Sequence, residues 1–331
     1  MASLSAPASP AAITAPQIGT VFWRTSQSEL GNRWPIIGAR PAPTTNQNPP
    51  LPAPPGFVPT SLFKANEDRI GMTDTTIGRR GVFIGLENYR WLADDPVFWL
   101  SVYNTFVYTV VASILKFALG MWLALLLNKH LPFKAFLRAI VLLPWIVPTV
   151  LSAIAFWWIY DSQFSIISWT LVELGLIDVY IDFLGDPNNA RASVIAANVW
   201  RGIPFVAITL LAGLQTIPVS LYEAATIDGA SPWQQFRYIT FPMLTPIIAV
   251  VMTFSVLFTF TDFQLIYVLT RGGPLNATHL MATLSFQRAI PGGQLGEGAA
   301  IAVAMIPFLL AAILFSYFGL QRRRWQHGGQ D

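Results

Sequence analysis

The 331 residues include no cysteine, which excludes disulfides and thiolate metal sites. The three histidines, His130, His279 and His327, lie far apart and show no metal-ligand spacing. Charge is also scarce: 11% of residues are Asp, Glu, Lys or Arg, against roughly 25% in a soluble domain. The net charge of +3 rests on few charges of either sign and does not call for nucleic acid. No GxxxxGK[ST] phosphate loop occurs, and no nucleophile–base pair or paired-carboxylate constellation stands out. The chain is therefore expected to hold no cofactor or metal and to have no catalytic residue of its own.

What the chain has instead is apolar length. With 53% hydrophobic residues and runs of about 20 mostly apolar residues, it reads as an all-α, polytopic membrane helix bundle bathed in lipid. Five spans are expected: Phe98 to Leu127, interrupted by Lys116; Ala139 to Tyr160; Ala192 to Ile217, with Arg201 in its first half; Met243 to Leu269, with Asp262 near its end; and Gly298 to Leu320. Pro144 and Pro148 are expected to kink the second span. Trp99, Trp157 and Trp158 fall near the interfaces, as belt residues do. Arg201 is expected close enough to the outer interface to snorkel.

Basic residues in short loops set the orientation. Lys129, Lys134 and Arg138 mark one loop as cytoplasmic, and Arg322, Arg323 and Arg324 mark the tail. The loop from Asp161 to Arg191 then lies outside, and the polar segment from Glu223 to Pro242 lies inside. The N-terminal part is different in kind. Residues 1–60 hold 12 of the 25 prolines and no apolar run able to cross a bilayer, so this stretch prefers solvated, extended backbone. Five spans with a cytoplasmic tail would leave residues 1–97 outside with no span to start their export.

The segment EAATIDGASPWQQFRYITFP, Glu223 to Pro242, is the most informative stretch. Good helix formers lead to Gly229, which permits a sharp turn. Ser231 and Pro232 suit the N-cap and first position of a second helix. The product is a helix-turn-helix element on the cytoplasmic surface, which on pattern alone is either a docking element or an interfacial connector.

Glu223-Ala224-Ala225, three residues, Gly229, nine residues, then Ile239-x-Phe-Pro242 resembles the signature of binding-protein-dependent ABC importer permeases. LLAGLQTIP (Leu210 to Pro218), LIYVLTRGGPLNAT (Leu265 to Thr278), GLENY (Gly85 to Tyr89) and NTFVYT (Asn104 to Thr109) are similar to its carbohydrate-uptake, maltose-type branch. The resemblance covers roughly residues 82–325. It implies a multi-pass permease of a bacterial or archaeal inner membrane, moving a sugar or sugar derivative. It also implies four protein partners: a second permease, a pair of ABC ATPase subunits and an extracytoplasmic solute-binding protein. By the same resemblance, Glu223, Ala224, Ala225, Asp228, Gly229 and Pro242 would couple to the ATPase within a loop spanning 220–242. The outer loop Gly272 to Pro274 would be a surface for the binding protein. A non-sugar solute, such as a glycerol phosphate or a polyamine, is the nearer alternative. A stand-alone channel or secondary transporter is the more distant one.

Members of that family carry another span just before the GLENY stretch. Residues 1–81 show none, which points to a frameshifted or mis-started reading frame ahead of Gly85 rather than a genuine five-span variant. The expected domains are a Pro-rich, disordered or mis-framed segment 1–81, a permease domain 82–325 and a short tail 326–331. In the fourth span, Ser255, Phe258, Thr259 and Asp262 recur at i, i+3, i+4 and i+7, one helix face. Such a face suits a sugar, and it equally suits helix packing. The resemblance makes these four the candidates for the solute pathway.

Overall fold

The computed structural model describes residues 67–327 apart from 80, 130 and 131. Within them the chain is helical, with no strand beyond two isolated bridges, Thr73 to Phe83 and Thr76 to Arg79. A 3₁₀ turn, Glu67–Met72, precedes helices α1 (Glu87–Asp94), α2 (Pro96–Asn128), α3 (Lys134–Ile146), α4 (Thr149–Ile159), α5 (Ile166–Glu173) and α6 (Pro187–Leu214). Then follow α7 (Val219–Ile227), α8 (Pro232–Gln235), a π turn (Phe236–Thr240), α9 (Phe241–Phe260), α10 (Gln264–Leu269), α11 (Met281–Ala289) and α12 (Leu295–His327).

The two longest inner helices begin with the same local device. Asp95 caps α2 by accepting from Val97 N at 2.8 Å, with Pro96 in the first turn. Asp186 caps α6 by accepting from Asn188 N and Asn189 N, both at 2.9 Å, with Pro187 following. A proline there costs no hydrogen bond, because the first N–H groups have no helical partner. At 1.5 Å per residue, α2 is about 50 Å long and α6 about 42 Å, both longer than the roughly 30 Å hydrocarbon layer.

Helices α2 and α6 pack along their length, with α9 against both. Around the α7–α8 end, Met121, Ala124, Leu127, Val206, Leu210, Leu214, Leu244 and Val251 form one buried cluster. A second cluster joins Tyr108, Ala153, Val194, Ala197, Leu265 and Leu269. A third, around Leu92, Phe98, Met281, Leu284 and Ile301, ties α1 and α2 to α11 and α12. Large apolar side chains also face outward along these helices, among them Ile114, Trp122, Leu151 and Ile306. That pattern is stable only where lipid or another apolar surface replaces water.

Two expected spans are not continuous. The second splits into α3 and α4, which meet at 90°. The break falls at Val147, which is extended (ψ 130) ahead of Pro148, because a residue before proline is pushed out of the α region. Pro144, by contrast, stays inside α3. The fourth breaks between Phe260 and Gln264, so Asp262 lies in a helix gap rather than on a helix face.

The start of the third span also moves. Its helix opens at Pro187, not Ala192, which puts Arg201 fourteen residues from one end and thirteen from the other. Arg201 therefore sits at the middle of the helix, about 20 Å from either of its ends. Residues just ahead of 82 also pack against the helices. Asn88 Nδ2 donates to Gly71 O at 3.0 Å and Thr73 O at 2.9 Å, and Ile77 N donates to Gly293 O at 2.9 Å. Residues 67–79 thus fold onto α1 and the turn between α11 and α12; residues 1–66 and 80 of the expected segment 1–81 fall outside the described residues.

Candidate functional site

The segment from Val219 to Thr240 closes on itself. Helix α7 ends in a Schellman motif: Ala230 N donates to Ala225 O at 2.8 Å and Gly229 N to Thr226 O at 3.0 Å. Gly229 has φ +78, the left-handed conformation that only glycine takes at no steric cost. Ser231 then caps α8 in a capping box, with Ser231 N donating to Gln234 Oε1 at 2.7 Å. Gln235 Nε2 braces the turn by donating to Thr226 Oγ1 at 3.1 Å and Ala230 O at 3.3 Å. The hydroxyls of Tyr222 and Thr240 share a hydrogen bond of 2.9 Å, which joins α7 to the start of α9.

With its turn closed by its own hydrogen bonds, this element presents many of its side chains outward. Glu223, Ala224, Asp228, Gly229 and Pro242 are exposed, and Ala225 is half-buried. Glu223 makes no ion pair among the described residues. Beside these polar positions stand Ile227, 87% exposed, Tyr238, 70% exposed, and Trp233, 66% exposed. Exposed apolar side chains thus cluster beside a carboxylate that has no ion-pair partner among the described residues.

At the opposite end, the loop after α10 is tied down from a distance. Asn104 Nδ2 of α2 donates to Asn276 O and His279 O, each at 3.2 Å. Arg191 Nε of α6 donates to Ala277 O at 3.0 Å and to Asn104 Oδ1 at 3.2 Å. Thr278 Oγ1 donates to Gly273 O at 2.7 Å. Inside the loop His279 is buried, and Nδ1 lies 3.1 Å from Thr283 Oγ1. Desolvation, with the nearby Arg288 guanidinium second, holds the His279 imidazole down to about 4. Sequence reasoning passed over Asn104 and Arg191 as anchors, since nothing local marks them.

The four pathway candidates do not act as one face. Ser255, Thr259 and Asp262 are buried in the bundle, whereas Phe258 is 58% exposed and stacks on Phe254. Asp262 Oδ2 accepts from Tyr108 OH at 2.7 Å and Asn198 Nδ2 at 2.9 Å, and Oδ1 accepts from Leu265 N at 3.4 Å. Lys116 Nζ donates to Thr259 Oγ1, which donates onward to Ser255 O. The Lys116 stem lies along Gly202, where a β-carbon would collide with it. The result is a polar core joining α2, α6 and the α9–α10 gap. An uncompensated charge at this depth costs roughly 2.5–3.5 kcal/mol on insertion scales, so its partners matter.

Long apolar helices around a buried polar core, with a polar element at one end, define a polytopic membrane helix bundle. Residues 116–327 match the family described as binding-protein-dependent transport system inner membrane component. Over 251 residues the chain is 38% identical to the trehalose/maltose transport system permease protein MalF of Thermococcus litoralis, spanning 76% of this chain and 84% of that one. It is 35% identical over 230 residues to the sulfoquinovosyl glycerol transport system permease protein SmoG of Agrobacterium fabrum, spanning 70% and 74%. In fold it is similar to a bacterial ABC transporter involved in the import of the acidic polysaccharide alginate, with a TM-score of 0.68 at 22% identity over 79% of this chain and 90% of that one. The chain belongs to the inner-membrane permease components of binding-protein-dependent ABC importers.

Proposed function

We propose that this permease translocates a sugar or sugar derivative, delivered by an extracytoplasmic binding protein and driven by ATP hydrolysis on separate subunits. Two relatives whose names specify sugar cargoes, trehalose/maltose and sulfoquinovosyl glycerol, support that solute class over a polyamine or glycerol phosphate. In this reading residues 67–325 form the permease domain. The α7–α8 element and the C-terminal tail face the cytoplasm, in keeping with the basic residues of the loop at 128–138 and of the tail. A second permease completes the bundle, lipid covers its outward apolar faces, and the Gly272 to Pro274 loop meets the binding protein.

The observation that carries the coupling role is the exposed α7–α8 element, braced across its turn by Gln235. A segment whose turn is closed by its own hydrogen bonds can move as a unit when gripped, and Glu223, Ala224, Ala225, Asp228, Gly229 and Pro242 lie on or beside its outer surface. Closure of the ATPase pair would shift this element. Through the Tyr222–Thr240 bond the shift would pass to α9 and alternate access across the bundle. Ser255, Thr259 and Asp262 belong to the packed wall of that pathway, and Phe258 to its exposed side.

Co-purification with the ATPase tests this reading. The double change Glu223→Ala with Gly229→Pro is expected to abolish both association and binding-protein-stimulated ATP hydrolysis while leaving the permease inserted. Intact association and uptake in that variant would refute the coupling role.

A further inference from the structure

A groove of about 580 Å³ lies between α2 and the α7–α8 element. One wall is α2, where Ala118, Trp122, Leu125, Leu126 and Lys129 recur at i, i+4, i+7, i+8 and i+11 and so form a single stripe. The facing wall is α8 and the π turn, through Pro232, Trp233 and Phe236. Trp122, 63% exposed, and Trp233 stand on opposite walls, and Trp233 stacks on Phe236 with ring centroids 5.5 Å apart.

The stripe on α2 runs from apolar to charged. From Ala118 to Lys129 it covers about 16 Å at 1.5 Å per residue, close to the about 15 Å of hydrocarbon in one leaflet. Lys129 directly follows Asn128, the last residue of α2, so the cation stands where the span leaves the hydrocarbon. The other polar groups of the lining are already committed. The hydroxyls of Tyr222 and Thr240 bond to each other at 2.9 Å, and Gln235 Nε2 donates to Thr226 Oγ1 and Ala230 O. The lining holds no carboxylate, and Lys129 makes no ion pair among the described residues. A ligand that complements this groove is apolar over a leaflet's depth and negative at one end.

We propose that the groove holds one phospholipid with a net-anionic headgroup, its acyl chain along the α2 stripe and its phosphate on Lys129. The ammonium is a compact point charge suited to a phosphate. A headgroup without an amine leaves that phosphate no cation of its own, so the lysine supplies it. The two indoles take the level between chain and headgroup, as aromatic residues do at membrane interfaces. Seated there, the lipid joins α8 to α2 across a space the protein leaves unfilled. The proposal needs only the membrane bundle and holds whatever the solute.

The test uses the whole importer, stripped of lipid in detergent. It is titrated with phosphatidylglycerol or with phosphatidylcholine of the same chains, and bound lipids are counted by native mass spectrometry. The unaltered complex is expected to bind one phosphatidylglycerol in preference to phosphatidylcholine. Lys129→Gln should weaken that one lipid about fivefold, Lys129→Arg should keep it, and Trp122→Ala should weaken both lipids. In parallel, phosphatidylglycerol with a photoreactive acyl chain is added to the unaltered complex in nanodiscs, and the labelled peptides are mapped. Label is expected on residues 118–129 and 232–236. No preference for phosphatidylglycerol in the unaltered complex overturns the proposal, as does a preference that survives in Lys129→Gln. If the Lys129→Gln complex falls apart, the photolabel decides: label absent from both segments of the unaltered complex means that protein, not lipid, fills the groove.

Discussion

Substituting Gly229 tests whether the coupling turn depends on backbone conformation or on the space a side chain would fill. The residue sits at φ +78, and a β-carbon built on it meets nothing within 4 Å. Packing inside this chain therefore contributes nothing to the cost of a side chain, and conformational strain contributes all of it. An L-residue in the left-handed region costs roughly 1–2 kcal/mol, which reduces the closed-to-open ratio of the turn by a factor of about 5–30. Asn tolerates this region better than Ala, and a β-branched Val tolerates it worse. Pro cannot adopt it, and would also delete the N–H that donates to Thr226 O at 3.0 Å. The expected order of activity is Gly, Asn, Ala, Val, Pro. It is read as binding-protein-stimulated ATP hydrolysis in the reconstituted importer, with hydrogen exchange at Ala230 following the same order. If the glycine serves instead to let a partner approach closely, size governs and Ala outperforms Asn. An Asn variant weaker than the Ala variant would refute the strain argument.

Asp262→Ala strips the acceptor from Tyr108 OH and Asn198 Nδ2, and two buried unpaired donors should cost about 2–5 kcal/mol. The expected result is a lower melting temperature of the purified permease, with Tyr108→Phe milder at about 1 kcal/mol. Asp95→Ala loses the α2 cap and the 2.6 Å pair with Arg288, an expected loss of about 1–2 kcal/mol. Asp95→Asn should recover most of the cap share, and equal melting temperatures for the two variants would exclude capping as the cause. The folded loop holds His279 near 4, below the 6.5 of a free imidazole. The opened loop therefore binds a proton across that window and the closed loop does not, so closure weakens as pH falls from 6.5 toward 4. Hydrogen exchange at Thr278 and His279 should accelerate over that range and stay flat above it, and His279→Gln should abolish the dependence.

The parts legible in the sequence were those whose causes are local. Apolar runs located the membrane helices, and Gly229, Ser231 and Pro232 gave the turn and the start of α8. The gap at Asp262 was not legible, because the groups that hold that carboxylate, Tyr108 and Asn198, lie 154 and 64 residues away in the chain. Phe258 parted from Ser255 and Thr259 for a similar reason, since periodicity gives a face but not what packs on it. The place of Arg201 at the middle of its helix could have been found. Asp186 followed by Pro187 is a helix-start signal, masked here by the polar residues that open α6. The Ser231–Gln234 capping box was also present in the spacing. Nothing short of the folded chain would have revealed that residues 67–79 lie against the turn before α12.

The long-range fastening of the loop after α10 sets a timetable for biosynthesis. Asn104 emerges from the ribosome 172 residues before Asn276 and 175 before His279, the carbonyls it will hold. At 5–20 residues per second the interval is about 10–35 s. Over that interval the amide of Asn104 has none of its eventual loop carbonyls, and for the last 86 residues before Ala277 the guanidinium of Arg191 waits likewise. Until the last third of the chain arrives, this face of the nascent protein is an open set of hydrogen-bonding groups, available to water, to the insertion machinery or to a mispaired neighbour.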